Sequence, residues 1–475
     1  MFLVDWGVVT GRLDPSYYLD RQEARELVKL GQLVGIRGGK RIPKGLSFSA
    51  EPTKYRYVRV ENIRDFEVDK ENANYLSPAL FEQLKRYELR NGEVVISIAG
   101  TVGRTAVFHN DSDERFILTE NCAKFVGLSP NLDAAYLKYV LSLGFVKRQI
   151  EKSSIQTTIP KLGLSRLLDL AVPCPPLEIQ KHAVGVLDHA YTLKKQKEQE
   201  ASSLLDDISR YLLEALEIAL PSQNGDIRGE RRFFVRSVEV LGGRFDPRQY
   251  SQKYQRISAA IERSPFAKIR LREALAADTA GSWGFDKTES RPDYTACLTI
   301  RATEFDNRYN LNLDNSRVKY RWYPPQMLDR ITLRGNDILV EKSGGSDDQP
   351  VGRVALITEE MAARQTLSYS NFIHKLTIRP EMALPAYVFE YLRLMHHIGF
   401  TEVMQTQTNG IRNLMMDEYL RQTLLLPSLE KQRAMADKTN DMRQKAKALE
   451  RQASDAVCDA RAEVERILSA NDGQG

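Results

Sequence analysis

Two long segments of the chain mix apolar and charged residues without a proline, and each follows a proline-containing turn. The first runs from Leu177 to Leu220 and stops at Pro221, and the second runs from Leu429 to Leu468. Proline is tolerated in a first helical turn but not in a helix interior, so each segment is predicted to be one helix of about 40 residues. At ~1.5 Å per residue, such a helix would be about 60 Å long.

Apolar positions in the second segment recur with alternating spacings of three and four residues, as in a coiled coil. One series is Met435, Met442, Leu449 and Ala456, and the other is Thr439, Ala446, Ala453, Ala460 and Ile467. The first segment has part of this pattern, at Leu187, Ala190, Ala201, Leu204, Ile208 and Tyr211, interrupted by Lys194 and Lys197. Antiparallel pairing of the two helices within the chain is therefore expected. Two independent amphipathic helices, each lying on its own domain, are the alternative.

The chain also contains an internal repeat, because blocks of the first half recur in the same order in the second half. The matched blocks are Gly11–Tyr18 with Gly243–Tyr250, Leu89–Ile96 with Leu333–Val340, Gly103–Val107 with Gly352–Leu356, and Leu177–Gln180 with Leu429–Gln432. The offset between the copies only grows along the chain. This is the pattern expected for a duplication whose second copy has gained loop residues.

Each copy mixes strand-like and helix-like patterns before its long helix. Tyr55–Val60 and Glu93–Ile98 are predicted strands, whereas Leu137–Ile150 and Tyr387–Ile398 are predicted helices. The predicted fold class is α+β: two tandem repeated α/β domains, with largely antiparallel or barrel-like sheets, separated by two long helices that form an antiparallel coiled coil. The predicted boundaries are 1–171 for the first domain, 172–220 for the central helix, 221–425 for the second domain and 426–475 for the C-terminal helix. The best linker candidate is 221–229.

Composition narrows the class of protein. A chain of 475 residues is too long for one ordinary core, and 42% hydrophobic with 28% charged residues is typical of a folded soluble protein. No apolar run approaches the ~20 residues needed to cross a bilayer, and the first residues do not resemble a signal peptide. The four cysteines (Cys122, Cys174, Cys297 and Cys458) lack metal-ligand or disulfide spacing. Reduced thiols and a cytoplasmic location are expected.

Motifs for catalysis are missing from the sequence. It contains no phosphate-binding Gly-x-x-x-x-Gly-Lys-Ser/Thr loop, no strand-linked Gly-x-Gly-x-x-Gly and no His-Glu-x-x-His. His182 and His189 lie one heptad apart, which indicates seam or surface residues rather than metal ligands. A non-catalytic chain without a metal site is therefore predicted, and a self-contained nuclease or methyltransferase is disfavoured.

Basic residues cluster between Arg37 and Arg64, where eight Lys and Arg residues stand beside two Glu residues. Arg and Lys contact DNA phosphates and guanine edges, and Asn can read adenine, so the cluster suits a DNA surface. Taken alone, such a charge run is more often a solvated face, and it is the second basic region in copy two that favours DNA binding. Gly38 and Gly39 are expected to let backbone amides approach a phosphate. The candidate residues in copy one are Lys40, Arg41, Lys44, Tyr55, Arg56, Tyr57, Arg59 and Asn62, and those in the corresponding region of copy two are Trp283, Lys287 and Arg301.

Polar loops supply further candidates for nucleic-acid contact in each copy. Loops of glycine and hydroxyl residues follow a predicted strand and carry Ser97, Thr101, Arg104, Lys342, Ser343 and Arg353; a tight hairpin is an equal explanation for their glycines. The polar stretches near the start of each long helix carry Thr157, Thr158, Lys161, Thr406, Thr408, Asn409 and Arg412.

Taken together, the blocks resemble the specificity subunit of Type I restriction-modification systems. The resemblance is carried by the twofold repeat and by four short blocks of copy one: Leu89–Ile96, Gly100–Arg104, Ile159–Leu162 and Pro175–Gln180. Copy two departs from it, with Arg412-Asn413 where copy one has Pro160-Lys161.

The resemblance implies two target recognition domains that read the unlike halves of a split double-stranded DNA target, held apart by the helices as a ruler. It also implies two methyltransferase subunits, which bind S-adenosylmethionine and modify adenine, and a motor-nuclease subunit with ATP and Mg where one is present. No cofactor is expected on this chain. The polar stretch from Lys194 to Glu200 is expected to meet a partner subunit. A coiled-coil adaptor or scaffold that does not bind DNA is the alternative function.

Overall fold

A computed structural model of the chain describes residues 27–153, 160–220, 250, 252–315, 318–345, 349–408 and 411–470. The chain forms two compact units. Unit 1 combines residues 1–199 with 449–475, and unit 2 is 200–448. This division cuts each long helix in two, which the predicted four-part division does not do. The predicted domain boundaries therefore stay a prediction.

Unit 1 contains short helices and strands ahead of the first long helix. Its strands are β1 (Leu27–Lys29), β2 (Gly35–Gly38), β3 (Tyr55–Val58), β4 (Ile63–Arg64), β5 (Glu67–Val68), β6 (Asn74–Tyr75), β7 (Val94–Ser97), β8 (Thr105–Val107), β9 (Arg115–Leu118), β10 (Cys122–Val126) and β11 (Ala171–Pro173). Its helices are α1 (Leu30–Leu33), α2 (Pro78–Leu84), α3 (Ala134–Val140), α4 (Gly144–Ser153) and α5 (Leu164–Leu168), followed by the long α6 (Leu177–Ala215).

Unit 2 repeats this arrangement. Its strands are β12 (Ala267–Arg270), β13 (Leu275–Ala280), β14 (Thr295–Ile300), β15 (Lys319–Tyr323), β16 (Ile338–Glu341), β17 (Ser343–Gly344), β18 (Val354–Leu356), β19 (Leu367–Tyr369), β20 (Ile373–Ile378), β21 (Gln405–Thr408), β22 (Ile411–Leu414) and β23 (Thr423–Leu426). Its helices are α7 (Gln252–Arg263), α8 (Pro325–Ile331), α9 (Glu359–Arg364), α10 (Pro385–His397) and α11 (Met416–Arg421), followed by the long α12 (Leu429–Ala470).

The sheets of the two units have the same topology. The strand order β2-β10-β7-β8 in unit 1 corresponds to β13-β20-β16-β18 in unit 2, and both sheets are antiparallel. The order β6-β3-β9 corresponds to β15-β14-β19, and in each the pair β3–β9 or β14–β19 is parallel. The predicted α+β duplication with largely antiparallel sheets is confirmed.

A buried glutamine explains why the Pro-x-Leu-Glu-x-Gln block occurs twice. The side chain of Gln180 is fully buried; its Nε2 donates to the Pro175 carbonyl at 2.7 Å, and its Oε1 accepts from the Asp133 amide at 2.9 Å. Gln432 repeats both bonds with Pro427 and Leu384, at 2.9 and 2.8 Å. An unsatisfied buried amide costs free energy, so each glutamine fixes the start of a long helix against the first turn of α3 or α10.

The halves of the long helices that lie in unit 1 pair with each other. Lys197 Nζ donates to Gln452 Oε1 at 2.6 Å, and Arg461 donates to the Tyr191 hydroxyl at 2.6 Å. The higher-numbered residue of α6 pairs with the lower-numbered residue of α12, so these segments are antiparallel. The predicted pairing is confirmed within this unit. These bonds join the two helices, so in this unit the helices are not independent.

The buried face of α12 shifts along its length, which the heptad pattern did not predict. Met435, Thr439, Met442, Ala446, Ala453 and Ala460 are buried as expected. Ala456 and Ile467 are only partly buried, and Val457 and Val464 are buried instead. A straight α-helix drifts by about 20° per heptad relative to a 3.5-residue repeat, so over the three heptads from Met435 to Ala456 the inward direction moves toward the next residue, Val457.

Two other predicted elements differ in detail. The helix predicted over Leu137–Ile150 is two helices, because the backbone turns between α3 and α4 at 141–143. The strand predicted over Tyr55–Val60 ends at Val58, and a 3-10 turn over Val60–Asn62 follows. The first matched block, at Gly11–Tyr18, and the predicted linker lie outside the described residues, as do 243–249 of its partner block. Among the described residues, no helix is long and apolar enough to span a membrane.

Candidate nucleic-acid interface

The turn between β9 and β10 collects three distant segments of unit 1. Lys40 donates its backbone N–H to the Leu118 carbonyl at 2.9 Å, and the amides of Ile98 and Ala99 donate to the Asn121 carbonyl at 2.8 and 3.2 Å. The amide of Gly100 in turn donates to the Pro160 carbonyl at 3.1 Å. The basic loop after β2, the glycine loop after β7 and the segment before α5 therefore meet at one end of the main sheet.

Exposed cations border this turn, which we call surface 1. They are Lys40, Arg41 and Lys44 on the basic loop and Lys161 beside the glycine loop. Glu120, on the turn itself, pairs with Arg41 at 2.5 Å. One carboxylate thus stands among four cations, and surface 1 keeps a net positive charge that suits a phosphate backbone.

The equivalent turn of unit 2, between β19 and β20, is held by the same backbone bonds. Ser282 donates its amide to the Tyr369 carbonyl at 3.0 Å, and the amides of Lys342 and Ser343 donate to the Phe372 carbonyl at 2.7 and 3.1 Å. The segment of β22 is joined to this site through the pairing of Gly344 with Arg412. We call the resulting end of the sheet surface 2.

Surface 2 differs from surface 1 in its side chains. Three large apolar residues are exposed on its segments: Trp283 (39%), Phe372 (46%) and Ile411 (47%). Lys342 follows β16 directly, and Thr406 is exposed on β21. The same backbone framework therefore presents mainly cations in unit 1 and mainly apolar side chains in unit 2.

Glycine is required at Gly39 for packing, rather than for phosphate approach as the sequence suggested. A Cβ on Gly39 would lie 2.0 Å from the Thr119 carbonyl oxygen, and one on Gly281 would lie 2.2 Å from that of Ser370. The Gly39 amide donates to the Cys122 carbonyl at 2.9 Å. Each glycine lets the loop that follows β2 or β13 lie against the turn before β10 or β20. The two glycines therefore hold the loops of surfaces 1 and 2 in position.

Several predicted contact residues of copy one lie inside the domain. Arg56 is buried, donates to the Ala73 carbonyl at 3.0 Å and pairs with Glu114 at 3.0 Å. Buried Tyr57 donates its hydroxyl to the Lys40 carbonyl at 2.7 Å, and burial raises its pKa to about 12. Tyr57 thus holds the basic loop in place, whereas Arg56 joins β3 to the segments around Ala73 and Glu114. Both side chains are buried, which corrects the expectation that they lie on the surface.

Asn62 and Ser97 are also internal supports. Asn62 accepts a hydrogen bond from the Arg59 amide at 2.9 Å and closes the 3-10 turn. Ser97 is fully buried; its hydroxyl donates to the Thr101 carbonyl at 2.5 Å and accepts from the Arg104 amide at 2.9 Å. Tyr55 is half-buried and stacks on Phe81 with ring centroids 4.3 Å apart. None of these three is placed to read a base.

Arg353 in unit 2 is likewise buried. Its guanidinium forms a bidentate pair with buried Glu341 at 2.7 and 2.8 Å, and it donates to the carbonyls of Phe305 and Ala302. Arg301 is held by Glu304 at 2.6 Å, and Ser343 bonds to Asn413 at 2.6 Å. The predicted role of these residues in DNA contact is replaced by a structural one.

Arg104 is the counterpart of Arg353 and makes the same two backbone contacts, to the Val60 and Ile63 carbonyls at 3.5 and 3.4 Å. Ser97 in β7 and Glu341 in β16 occupy equivalent strand positions, because Ser97 pairs with the first residue of β10 and Glu341 pairs with the first residue of β20. Arg104 therefore has no strand carboxylate like Glu341, and it is exposed, unlike Arg353.

The remaining candidates are placed as follows. Arg59 is partly exposed and pairs with Glu61 at 2.6 Å; Thr101 and Lys287 are exposed; Lys342 and Arg412 are half-exposed. Thr157, Thr158 and Asn409 lie outside the described residues, and Thr408 is described only as part of β21. Sequence reasoning missed Asn121, Phe372 and Ile411. The offset of 251 between Asn121 and Phe372 was available, but only the shared hydrogen bonds show that the two positions are equivalent.

Fold and surfaces together define a chain built from two copies of one α+β module, each continuing into a long helix. Residues 23–203 match a family model described as the Type I restriction modification DNA specificity domain. The match covers the first copy of the repeat and part of its long helix, and the resemblance inferred from the sequence is confirmed.

Individual relatives agree with this assignment. The chain is 24% identical over 194 residues to the Type I restriction enzyme MjaVIII specificity subunit of Methanocaldococcus jannaschii, over 40% of this chain and 45% of the relative. It is 25% identical over 152 residues to the Type I restriction enzyme EcoBI specificity subunit of Escherichia coli, over 31% of each. The matches thus span less than half the length of either relative.

Among solved structures, the chain is similar to the Type-I restriction-modification system S subunit from M. genitalium. The sequence identity is 15% and the TM-score is 0.41, over 94% of this chain and 96% of that one.

Proposed function

We propose that the chain is a DNA-specificity subunit of a Type I restriction-modification complex, and that it binds a split, asymmetric DNA target. The observation that carries the proposal is the pair of equivalent surfaces, built on one backbone framework with different side chains, in a chain whose residues 23–203 are a DNA specificity domain. Two similar modules with unlike surfaces suit two unlike half-sites.

Recognition is assigned to this chain and the chemistry to its partners. In the part of the chain that the structure describes, no three His, Cys, Asp or Glu side chains form a group that could hold a metal. The modification of adenine, with S-adenosylmethionine as methyl donor, is proposed for methyltransferase subunits bound to this chain. A motor-nuclease subunit would add cleavage.

Mapping of methylated adenines tests the proposal. The chain is co-expressed with its methyltransferase partner, and the modified positions in the genome are sequenced with and without the chain. The expected result is one bipartite motif with two unlike halves and a fixed gap, seen only when the chain is present. Modification that does not depend on the chain, or a motif without a gap, would contradict the proposal.

DNA binding itself is measured with the purified complex and a duplex that carries the motif. Phosphate contacts make the affinity fall steeply with salt concentration, whereas an adaptor that does not touch DNA gives no chain-dependent binding. This measurement separates the proposed function from the adaptor alternative.

The role of the long helices in fixing the gap stays a prediction. Four residues inserted in α6 would lengthen the helix by ~6 Å, which corresponds to about two base pairs at ~3.4 Å each, and would also rotate it. A methylated motif whose gap is unchanged after the insertion would contradict this role.

A further inference from the structure

Asn121 in unit 1 and Phe372 in unit 2 occupy one equivalent position. Each lies on the turn that enters the central strand, and its carbonyl accepts the two consecutive amides that follow β7 or β16, at 2.7–3.2 Å. Because two hydrogen bonds fix this carbonyl in both units, the backbone of the position is set by the fold. The side chain is then the part that can vary without cost to the framework.

Among the described residues, neither side chain belongs to a hydrophobic core cluster. The amide group of Asn121 has no hydrogen-bond partner there, although Asn121 is only partly exposed. Phe372 leaves 46% of its surface in solvent, although a buried phenylalanine would contribute about 1.5–3 kcal/mol. A position that is rigidly built but whose side chain stabilises little is suited to recognition.

The surroundings of the two positions indicate the kind of ligand. Asn121 follows Glu120, whose partner Arg41 belongs to the cations of surface 1. Phe372 accepts from the amide of Lys342 and shares surface 2 with the exposed side chains of Trp283 and Ile411. In duplex DNA the phosphates flank the base edges. A surface with cations beside an exposed apolar or amide side chain can contact both groups, the cations binding phosphates and the other side chain contacting a base edge.

We propose that positions 121 and 372 determine sequence specificity, with Asn121 hydrogen-bonding a base edge in one half-site and Phe372 contacting the methyl group of a thymine in the other. This inference rests on the proposed function. The 5-methyl group of thymine is the apolar group that base pairs present in the major groove, and the amide of asparagine matches the N6 and N7 atoms of adenine. The unlike side chains would make the two half-sites unlike.

The test for Phe372 combines a protein change with a DNA change. Duplexes that carry the chain's own motif are prepared with single thymines replaced by deoxyuridine, which removes one methyl group at a time. Binding of the complex with the methyltransferase partner is measured for the wild type and for Phe372→Ala. At one thymine of one half-site, the replacement should weaken wild-type binding by about tenfold. Phe372→Ala should weaken binding to the unmodified duplex similarly and be insensitive to that replacement.

Leu429→Ala provides the matched control. Leu429 is an apolar residue of the same unit and is 42% exposed, close to the exposure of Phe372. It lies at the start of α12, which Gln432 fixes to Leu384, whereas Phe372 lies at the other end of β20. It should keep wild-type affinity and full sensitivity to deoxyuridine. Asn121→Ala should leave the deoxyuridine response of the Phe372 half-site unchanged and relax the methylated motif at one position of the other half-site.

Three results would overturn the inference. Phe372→Ala could bind the duplex as the wild type does and methylate the same motif, which would leave the exposed ring for a protein partner. It could lose affinity yet keep wild-type sensitivity at every thymine, which would place the effect elsewhere. Asn121→Ala could keep an unrelaxed motif. In all three cases the wild-type complex still binds its motif, so a failure of this inference is distinct from a failure of the proposed function.

Discussion

The ring of Phe66 packs against the ring of Tyr191 with centroids 4.8 Å apart and planes at 65°. Phe66 lies at the tip of the β4–β5 hairpin with a φ of 64°, in the left-handed region that favours glycine. Tyr309 in unit 2 has the same φ of 64°, and its hydroxyl hydrogen-bonds with His396 Nδ1 at 2.8 Å. Such a backbone costs about 1–3 kcal/mol, so the aromatic contacts must offset it in both copies.

The helix contacts beside these rings have changed between the copies. In unit 1 the rings of Tyr139 and Tyr191 stack at 5.7 Å. In unit 2 the corresponding contact is an ion pair of Glu390 with Arg443 at 2.8 Å. Lys194 bonds to Asp65 of the same hairpin at 3.2 Å. The expectation that the stretch from Lys194 to Glu200 meets a partner subunit stays a prediction. Each long helix is thus fixed to its own domain by different chemistry at one position.

Phe66→Ala should loosen the hairpin, since it keeps the strained backbone and removes the rings' contact. The expected loss of local stability is about 1–3 kcal/mol. Native-state hydrogen exchange of the β4 and β5 amides would measure it. Phe66→Tyr, which copies Tyr309, should stay close to the wild type; an equal loss in both variants would contradict the role of the ring contact.

Glu341→Ala should destabilise unit 2 strongly, because it leaves the buried guanidinium of Arg353 without its carboxylate. Removal of one partner of a buried ion pair typically costs about 3–5 kcal/mol. Urea unfolding followed in unit 2 checks this. Arg104→Ala is the comparison in unit 1: Arg104 is exposed and lacks a strand carboxylate, so the loss should be about 1 kcal/mol or less. Similar losses in the two variants would refute the contrast.

Glu390 should make unit 2 sensitive to acid. Burial raises the pKa of the Glu390 carboxyl, but Arg443 and Arg393 outweigh burial and hold that pKa below its ordinary 4.5. The unfolded state therefore binds the proton first, so the stabilisation is complete above pH about 4.5 and is lost as the pH falls through the lower folded pKa.

This acid sensitivity is measured as the free energy of unfolding from pH 7 to pH 3. The wild type should lose its advantage over Glu390→Gln below pH about 4.5. Glu381→Gln, at an exposed carboxylate of the same unit, should follow the wild-type profile. A constant difference between the wild type and Glu390→Gln across this range would show that the carboxylate's charge is not what stabilises the fold.

Lys161→Ala should reduce the salt dependence of DNA binding. If Lys161 neutralises one phosphate, the slope of log K against log salt should become less steep by about 0.9. Fluorescence anisotropy at several salt concentrations gives this slope. Lys445→Ala, at an exposed cation of α12 paired with Asp441, should leave it unchanged. Equal slopes for Lys161→Ala and the wild type would remove Lys161 from the interface.

The duplication, the α+β class, both long helices and their antiparallel pairing could be predicted from the order of the amino acids alone. These depend on periodicity, proline placement and the order of repeated blocks, which are local or directly comparable along the chain. Which polar residues face solvent depends on packing between distant segments, and it became visible only in the folded chain. Arg56 and Arg353 are of a residue type that commonly contacts DNA. Both are buried and paired with carboxylates that are distant in sequence, Glu114 and Glu341. Asn121 and Phe372 are different residue types, and only their matching long-range backbone hydrogen bonds show that they hold equivalent positions in the two units.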